Sequence, residues 1–209
     1  INLMGEILDG KAQEKCNSYI EYLDEKIADV DNSLKDVITE KETIYYINGA
    51  NDRGFYKTGG ANSTTEACTK LSYVDLVTSS LITFPETKAD AEAVLATNPQ
   101  NIIIGGNYQH VLYDEIYAAD EWSQISAIKN KCVFKIPMGI SAWNRYSLET
   151  ALLIPWTAAV VYPKSYEFDA KKEVIEFYKT FMGYELTEQQ AEYMIAGLTP
   201  DGKKEIASR

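Results

Sequence analysis

The chain has 209 residues, 45% of them hydrophobic, which is enough apolar material for a full core. Its net charge of −11, with lysines and arginines scattered through acidic stretches, argues against nucleic acid as a partner, because phosphate binding needs a concentrated cationic face. No run of about 18 apolar residues is present to span a membrane, and three cysteines without short ligand spacing (Cys16, Cys68, Cys132) make neither a disulfide framework nor a cysteine-rich zinc site.

The opening INLMGEILDGKAQEK lacks the charged-then-apolar layout of a secretion signal. Residues 11–35 contain no Pro or Gly, and Leu8, Ala12, Cys16, Tyr19, Ile20, Leu23, Ile27, Val30 and Leu34 recur at steps of three and four. That spacing predicts one amphipathic helix of roughly 35 to 40 Å. TIYYING reads as a strand ending in a turn, and NDRGFYKTGGANSTTEACTKL as a polar loop entering a helix near Asn62 to Leu71. Within it Gly59 and Gly60 precede a helix start, a weak form of backbone anion site. SYVDLVTSSLITFPET is ambiguous between loop and short strand, and a helix follows from about Asp90 to Thr97.

ATNPQNIIIGGNYQH then runs three isoleucines between an Asn-Pro turn and a Gly pair, the pattern of a strand buried on both faces in a parallel sheet. Residues just beyond such strands line the ligand crevice of open α/β sheets, which marks Asn107, Tyr108 and the single histidine, His110. A helix is expected over His110 to Ala118, a short helix in EWSQISAIKNK, and a strand in CVFKIP with Cys132 buried in it. After the loop MGISAWNRYS comes a helix from Leu148 to Val161, kinked at Pro155 and stopped by Tyr162-Pro163. Two amphipathic helices close the chain, Lys171 to Met182 and Thr187 to Gly197, the latter opened by the capping box TEQQ. Strands alternating with helices predict a three-layer, Rossmann-like α/β domain with a mainly parallel sheet.

The ordered segments NPQNIIIGG, WSQISAIKNKCVFKIP, ISAWNRYSLETALLIPWTAAVVYP and EFYKTFMGYELTEQQAEYMI resemble the C-terminal lobe of the solute-binding proteins of ABC importers, in the class handling ferric siderophores, haem and cobalamin. The opening helix is similar to the rigid helix joining the two lobes in that class. The resemblance implies a periplasmic-binding-protein-like fold, with residues 1–38 as the inter-lobe helix and 39–209 as the C-terminal ligand-binding lobe. The N-terminal lobe, a signal peptide and any lipid-anchored cysteine would then precede Ile1. The implied function is the extracytoplasmic component, periplasmic or a cell-surface lipoprotein, that captures a chelated metal between two lobes and delivers it to the permease subunits. It implies neither enzymatic activity nor a resident cofactor. The family's docking glutamate, seven residues before the proline of the Asn-Pro strand entry, falls on Glu92, whose position in a helical first turn also suits the helix dipole.

In the same architecture the loops NGANDRGFYKTGG, Leu76 to Phe84, GGNYQH and MGISAWNRYS converge. They offer Arg53, Phe55, Tyr56, Asn107, Tyr108, His110, Trp143, Asn144 and Arg145 as candidate ligand contacts, aromatic faces for a macrocycle or aromatic siderophore and arginine forks for anionic oxygens. Trp143 could equally plug the sheet end, Arg145 could pair with Glu149 at helical spacing, and His110 could be a helix-start residue. One histidine cannot build the cluster that captures bare zinc or manganese, so no protein metal ligands are expected and a metal-chelate ligand is favoured. Two alternatives stay open: a molybdate- or tungstate-type oxyanion protein of the same fold, and a flavodoxin-like cytoplasmic cofactor-binding protein. No GxSxG, Walker, GxGxxG or HExxH pattern supports an enzyme.

Overall fold

The computed structural model describes residues 1–8, 10–49, 54–145 and 147–204. Two helices open it, α1 (Asn2–Leu8) and α2 (Gly10–Leu34). At 1.5 Å per residue the 25-residue α2 is about 37 Å long, as its apolar spacing predicts. Helix α1 was not expected from the sequence; it packs back on α2 so closely that a Cβ on Gly5 would lie 3.0 Å from Cys16 Cβ.

Four strands follow in an all-parallel sheet: β1 (Thr43–Ile47), β2 (Asp75–Leu76), β3 (Asn101–Ile104) and β4 (Val133–Lys135), in the order β2-β1-β3-β4. In the register Tyr46 lies beside Ile103 and Ile103 beside Phe134. All four residues of β3 and the last four of β1 are buried, which only a sheet covered on both sides allows. The ambiguous SYVDLVTSS segment resolves into the two-residue edge strand β2 and a 3₁₀ turn, Val77–Ser80. Cys132, expected inside a strand, stands at the entry to β4 and is only half-buried, its thiol 3.6 Å from the Asn130 carbonyl.

Alternation along the strands sends side chains to two cores. Ile44, Tyr46 and Ile103 face the larger core, which also holds Val30 and Leu34 of α2, most of α7 (Thr150–Val161), and residues of α8 (Ala170–Phe177) and α9 (Glu188–Ile195). Tyr45, Ile47, Ile102 and Ile104 face the other, with residues of α4 (Ala91–Ala96), α5 (Gln109–Ala118), α6 (Ser126–Lys129) and Trp122. Cys68 of α3 (Thr64–Leu71), the helix between β1 and β2, packs against the larger core. Nine of the twelve residues of α7 are buried and it runs unbroken through Pro155. A helix this apolar belongs inside a layer rather than on a surface. Helix α8 continues into a π-helical turn, Tyr178–Met182, ended by left-handed Gly183, and the Thr187/Gln190 capping box opens α9 as its residues predict.

Candidate functional site

The strand order puts a switch point between β1 and β3: the chain leaves β1 through α3 toward β2 on one side, whereas β3 starts the other half of the sheet. Loops leaving two such strands part in opposite directions and open a crevice at the carboxyl edge. Here they part from two glycines in contact. A Cβ on Gly49 would overlap the Gly105 carbonyl oxygen, and Gly49 has φ +31, so only glycine fits.

Beside this contact is a cavity of about 150 Å³. Tyr46 and Asn48 reach it from β1 and the loop beyond, Thr64 and Thr65 from the first turn of α3, and Asn144 and Arg145 from the turn after β4, with threonines of α7 behind. Its described lining has one cation and no carboxylate, in a chain of net charge −11. The Tyr46 hydroxyl and Asn144 Oδ1 are buried there with no hydrogen bond of good geometry, and the side chain nearest to serving the hydroxyl is the Asn144 amide itself. Burial, reinforced by Cys68, pushes the Tyr46 phenol well above its ordinary pKa, with Arg145 and a contact from Asn144 pulling the other way, so the group stays an O–H donor. A half-turn of the Asn144 amide would present its NH₂ in place of Oδ1. The arrangement offers several donors and a positive charge to a small group rich in acceptor oxygens.

The turn that delivers Asn144 and Arg145 is held at several points. Met138 and Ala142 form an antiparallel bridge, Trp143 N–H donates to the Pro137 carbonyl at 3.2 Å, and the Thr150 hydroxyl donates to the Trp143 carbonyl at 3.1 Å. Trp143 itself is 0% exposed in the larger core, so of its two expected settings it takes that of a plug. Arg145 is exposed at the cavity's edge. It makes no pair with Glu149, which is buried and hydrogen-bonded to Tyr178, Ile140 and Ser147.

The other residues marked in the sequence are dispersed. Asn107 and Tyr108, both half-buried, enter α5 next to the crevice, with Tyr108 N–H donating to the Gly49 carbonyl at 3.3 Å. Phe55 and Tyr56 lie in a 3₁₀ turn on the opposite side of the sheet, where the Tyr56 ring stacks on Trp122 at 6.0 Å and Phe55 meets it edge-on. His110 is buried, with Nε2 2.7 Å from the Gly197 carbonyl; burial pushes its pKa down while that bond opposes the shift. Arg53 lies outside the described residues. Glu92 is exposed in the first turn of α4, behind the Asp90 cap. Among the described residues no group of three His, Cys, Asp or Glu could hold a metal ion, and no helix is long and apolar enough to cross a membrane. Tyr46, Asn48, Thr64 and Thr65 escaped the sequence reading. The available signal was the tyrosine near the end of TIYYI and the threonine pair after TGGANS, which gain meaning only once β1 is known to flank the switch point.

A family model described as periplasmic binding protein matches residues 1–138. The molybdate-binding protein MolA of Haemophilus influenzae is 33% identical over 93 residues, 43% of this chain and 26% of that protein. An ABC transporter solute-binding protein from Sulfurospirillum deleyianum superposes with a TM-score of 0.73 at 19% identity, over 89% of this chain and 57% of its own. A periplasmic solute-binding protein from Veillonella parvula gives 0.73 at 24% identity, over 93% and 58%. The molybdate-bound structure of MolA gives 0.70 at 22% identity, over 89% and 55%. The chain therefore spans a little over half the length of these solved proteins, and their likeness at such identities is one of fold.

Proposed function

The chain belongs to the periplasmic binding protein family, and from that premise we propose that it forms the connecting helix and C-terminal lobe of the extracytoplasmic solute-binding component of an ABC importer. Residues 1–38 carry the helix and 39–209 the lobe. The solute is a compact anion presenting several oxygens, with a tetrahedral oxyanion such as molybdate as first candidate.

The observation that carries this proposal is a pair of buried groups, Tyr46 hydroxyl and Asn144 Oδ1, neither held by a hydrogen bond of good geometry, beside Arg145 in a cavity whose described lining has no carboxylate. A buried hydroxyl left unpaired costs about 1–3 kcal/mol, a cost that an entering acceptor oxygen removes. The stretch of similarity to a protein named for molybdate points the same way.

A metal chelate, the ligand favoured by the sequence, has narrower support. Flat aromatic faces were to recognise haem or a corrinoid, but Trp143 is fully buried and Tyr56 is stacked on Trp122. What adjoins the crevice is Asn107, Tyr108 and Arg145, a polar set that suits a hydrophilic ferric siderophore through its anionic oxygens. Titrating the full-length protein with molybdate, a ferric siderophore, haem and cobalamin, followed by calorimetry, separates the two. Molybdate binding is expected. Binding of the siderophore alone would favour the chelate, and a response only to haem or cobalamin would overturn the anionic site.

A further inference from the structure

We propose that Glu149 is a positioning residue for the solute: its carboxylate holds the turn over residues 138–145 at the setting that brings Asn144 and Arg145 to the cavity. The proposal rests on the cavity being the solute site. Glu149 immediately precedes α7 and is 0% exposed, and among the described residues no cation pairs with it. Its Oε1 accepts the Ile140 N–H at 3.2 Å and the Tyr178 hydroxyl in a short bond, and its Oε2 accepts the Ser147 hydroxyl at 3.3 Å. The Tyr178 oxygen also accepts the Ile140 N–H, at 3.0 Å. Gly139 completes the fit, since a Cβ there would overlap the carboxylate and crowd the Tyr178 hydroxyl.

The anchor is thus backbone on carboxylate. Ile140, at the tip, is 71% exposed and its side chain holds nothing down. The next residue, Thr150, carries the bond to the Trp143 carbonyl, so residues 149 and 150 grip both limbs of the turn just before the ligand-facing pair. A carboxylate buried without a cation is a poor way to stabilise a core. Burial pushes the Glu149 pKa up, against the bonds from Tyr178, the Ile140 and Ser141 N–H groups and Ser147. The geometry of the turn is what this group secures.

The test compares Glu149→Leu and Glu149→Gln in the full-length protein, reading molybdate affinity by calorimetry and, without ligand, amide hydrogen exchange across residues 140–145. Glu149→Gln keeps an acceptor oxygen and should bind within roughly threefold of wild type. Glu149→Leu should bind about 10- to 100-fold more weakly, in keeping with the loss of a supporting contact behind a binding group, and exchange faster at 140–145. Wild-type affinity or unchanged exchange in Glu149→Leu would overturn the proposal. Should the wild type ignore molybdate, the solute assignment fails, and the exchange comparison alone decides the role of Glu149. If Glu149→Leu does not fold, Tyr178→Phe replaces it: severalfold weaker binding and faster exchange are expected, and no change in either overturns the proposal.

Discussion

Tyr46 and Tyr45 are adjacent, both buried and chemically identical, yet their hydroxyls meet different fates. The Tyr45 hydroxyl donates to the Phe55 carbonyl at 2.6 Å, whereas that of Tyr46 makes no hydrogen bond of good geometry. Tyr46→Phe should therefore leave stability unchanged or raise it by about 1 kcal/mol in urea denaturation, because it removes a poorly paired buried polar atom and keeps the ring. The same substitution should weaken molybdate binding roughly tenfold, the equivalent of about 1.4 kcal/mol. A clear loss of stability would mean that the hydroxyl serves the fold rather than the solute. Asn144 and Arg145 could be picked out in the sequence because they follow a strand in a polar loop. Tyr46 could not, since every position from 44 to 47 is buried and nothing local says which face of the strand adjoins a cavity.

Helix α2 behaves as two halves. Most residues from Gly10 to Ser18 are exposed, while the stretch from Tyr19 onward is tied down by Tyr19 to the Leu148 carbonyl at 2.9 Å, by Lys26 to Glu173 at 2.8 Å, and by the wholly buried Val30 and Leu34. Truncation at the anchored end should be costly: Leu34→Ala is expected to destabilise by about 2–5 kcal/mol through lost burial and the cavity left behind. Thermal unfolding measures this, and a loss below about 1 kcal/mol would show that α2 is not anchored through Leu34. Periodicity made α2 legible from end to end. Helix α7, expected over Leu148 to Val161, was legible from its apolar length and the Tyr-Pro stop rather than from periodicity, since its environment is apolar on every side; α1, only seven residues long, owes its place to packing on α2 and was not legible.

Across the whole molecule, the solute site and the expected docking group are carried by separate helices. Cavity residues come from β1 and the loop beyond it, β3, α3, α7 and the turn after β4, while Glu92 stands exposed on α4, whose buried Val94 packs in the opposite core. We propose that Glu92 contacts cationic residues of the permease. Glu92→Ala should then slow solute uptake by cells while leaving calorimetric affinity intact; weakened binding to the isolated protein would contradict the assignment.

Class and element order were written locally. Apolar runs, Gly and Pro punctuation and helix caps act over a few residues, and they sufficed for an alternating α/β chain, its parallel buried strands and the cap of α9. The site was decided by long-range pairing. Only the order β2-β1-β3-β4 makes the gap between β1 and β3 a switch point, and only packing on two faces sends Tyr46 to the cavity while Trp143, Tyr56 and His110 turn to other partners. The physical reason is that a side chain's neighbours across a sheet are set by strand order and register, quantities that no stretch of sequence contains by itself.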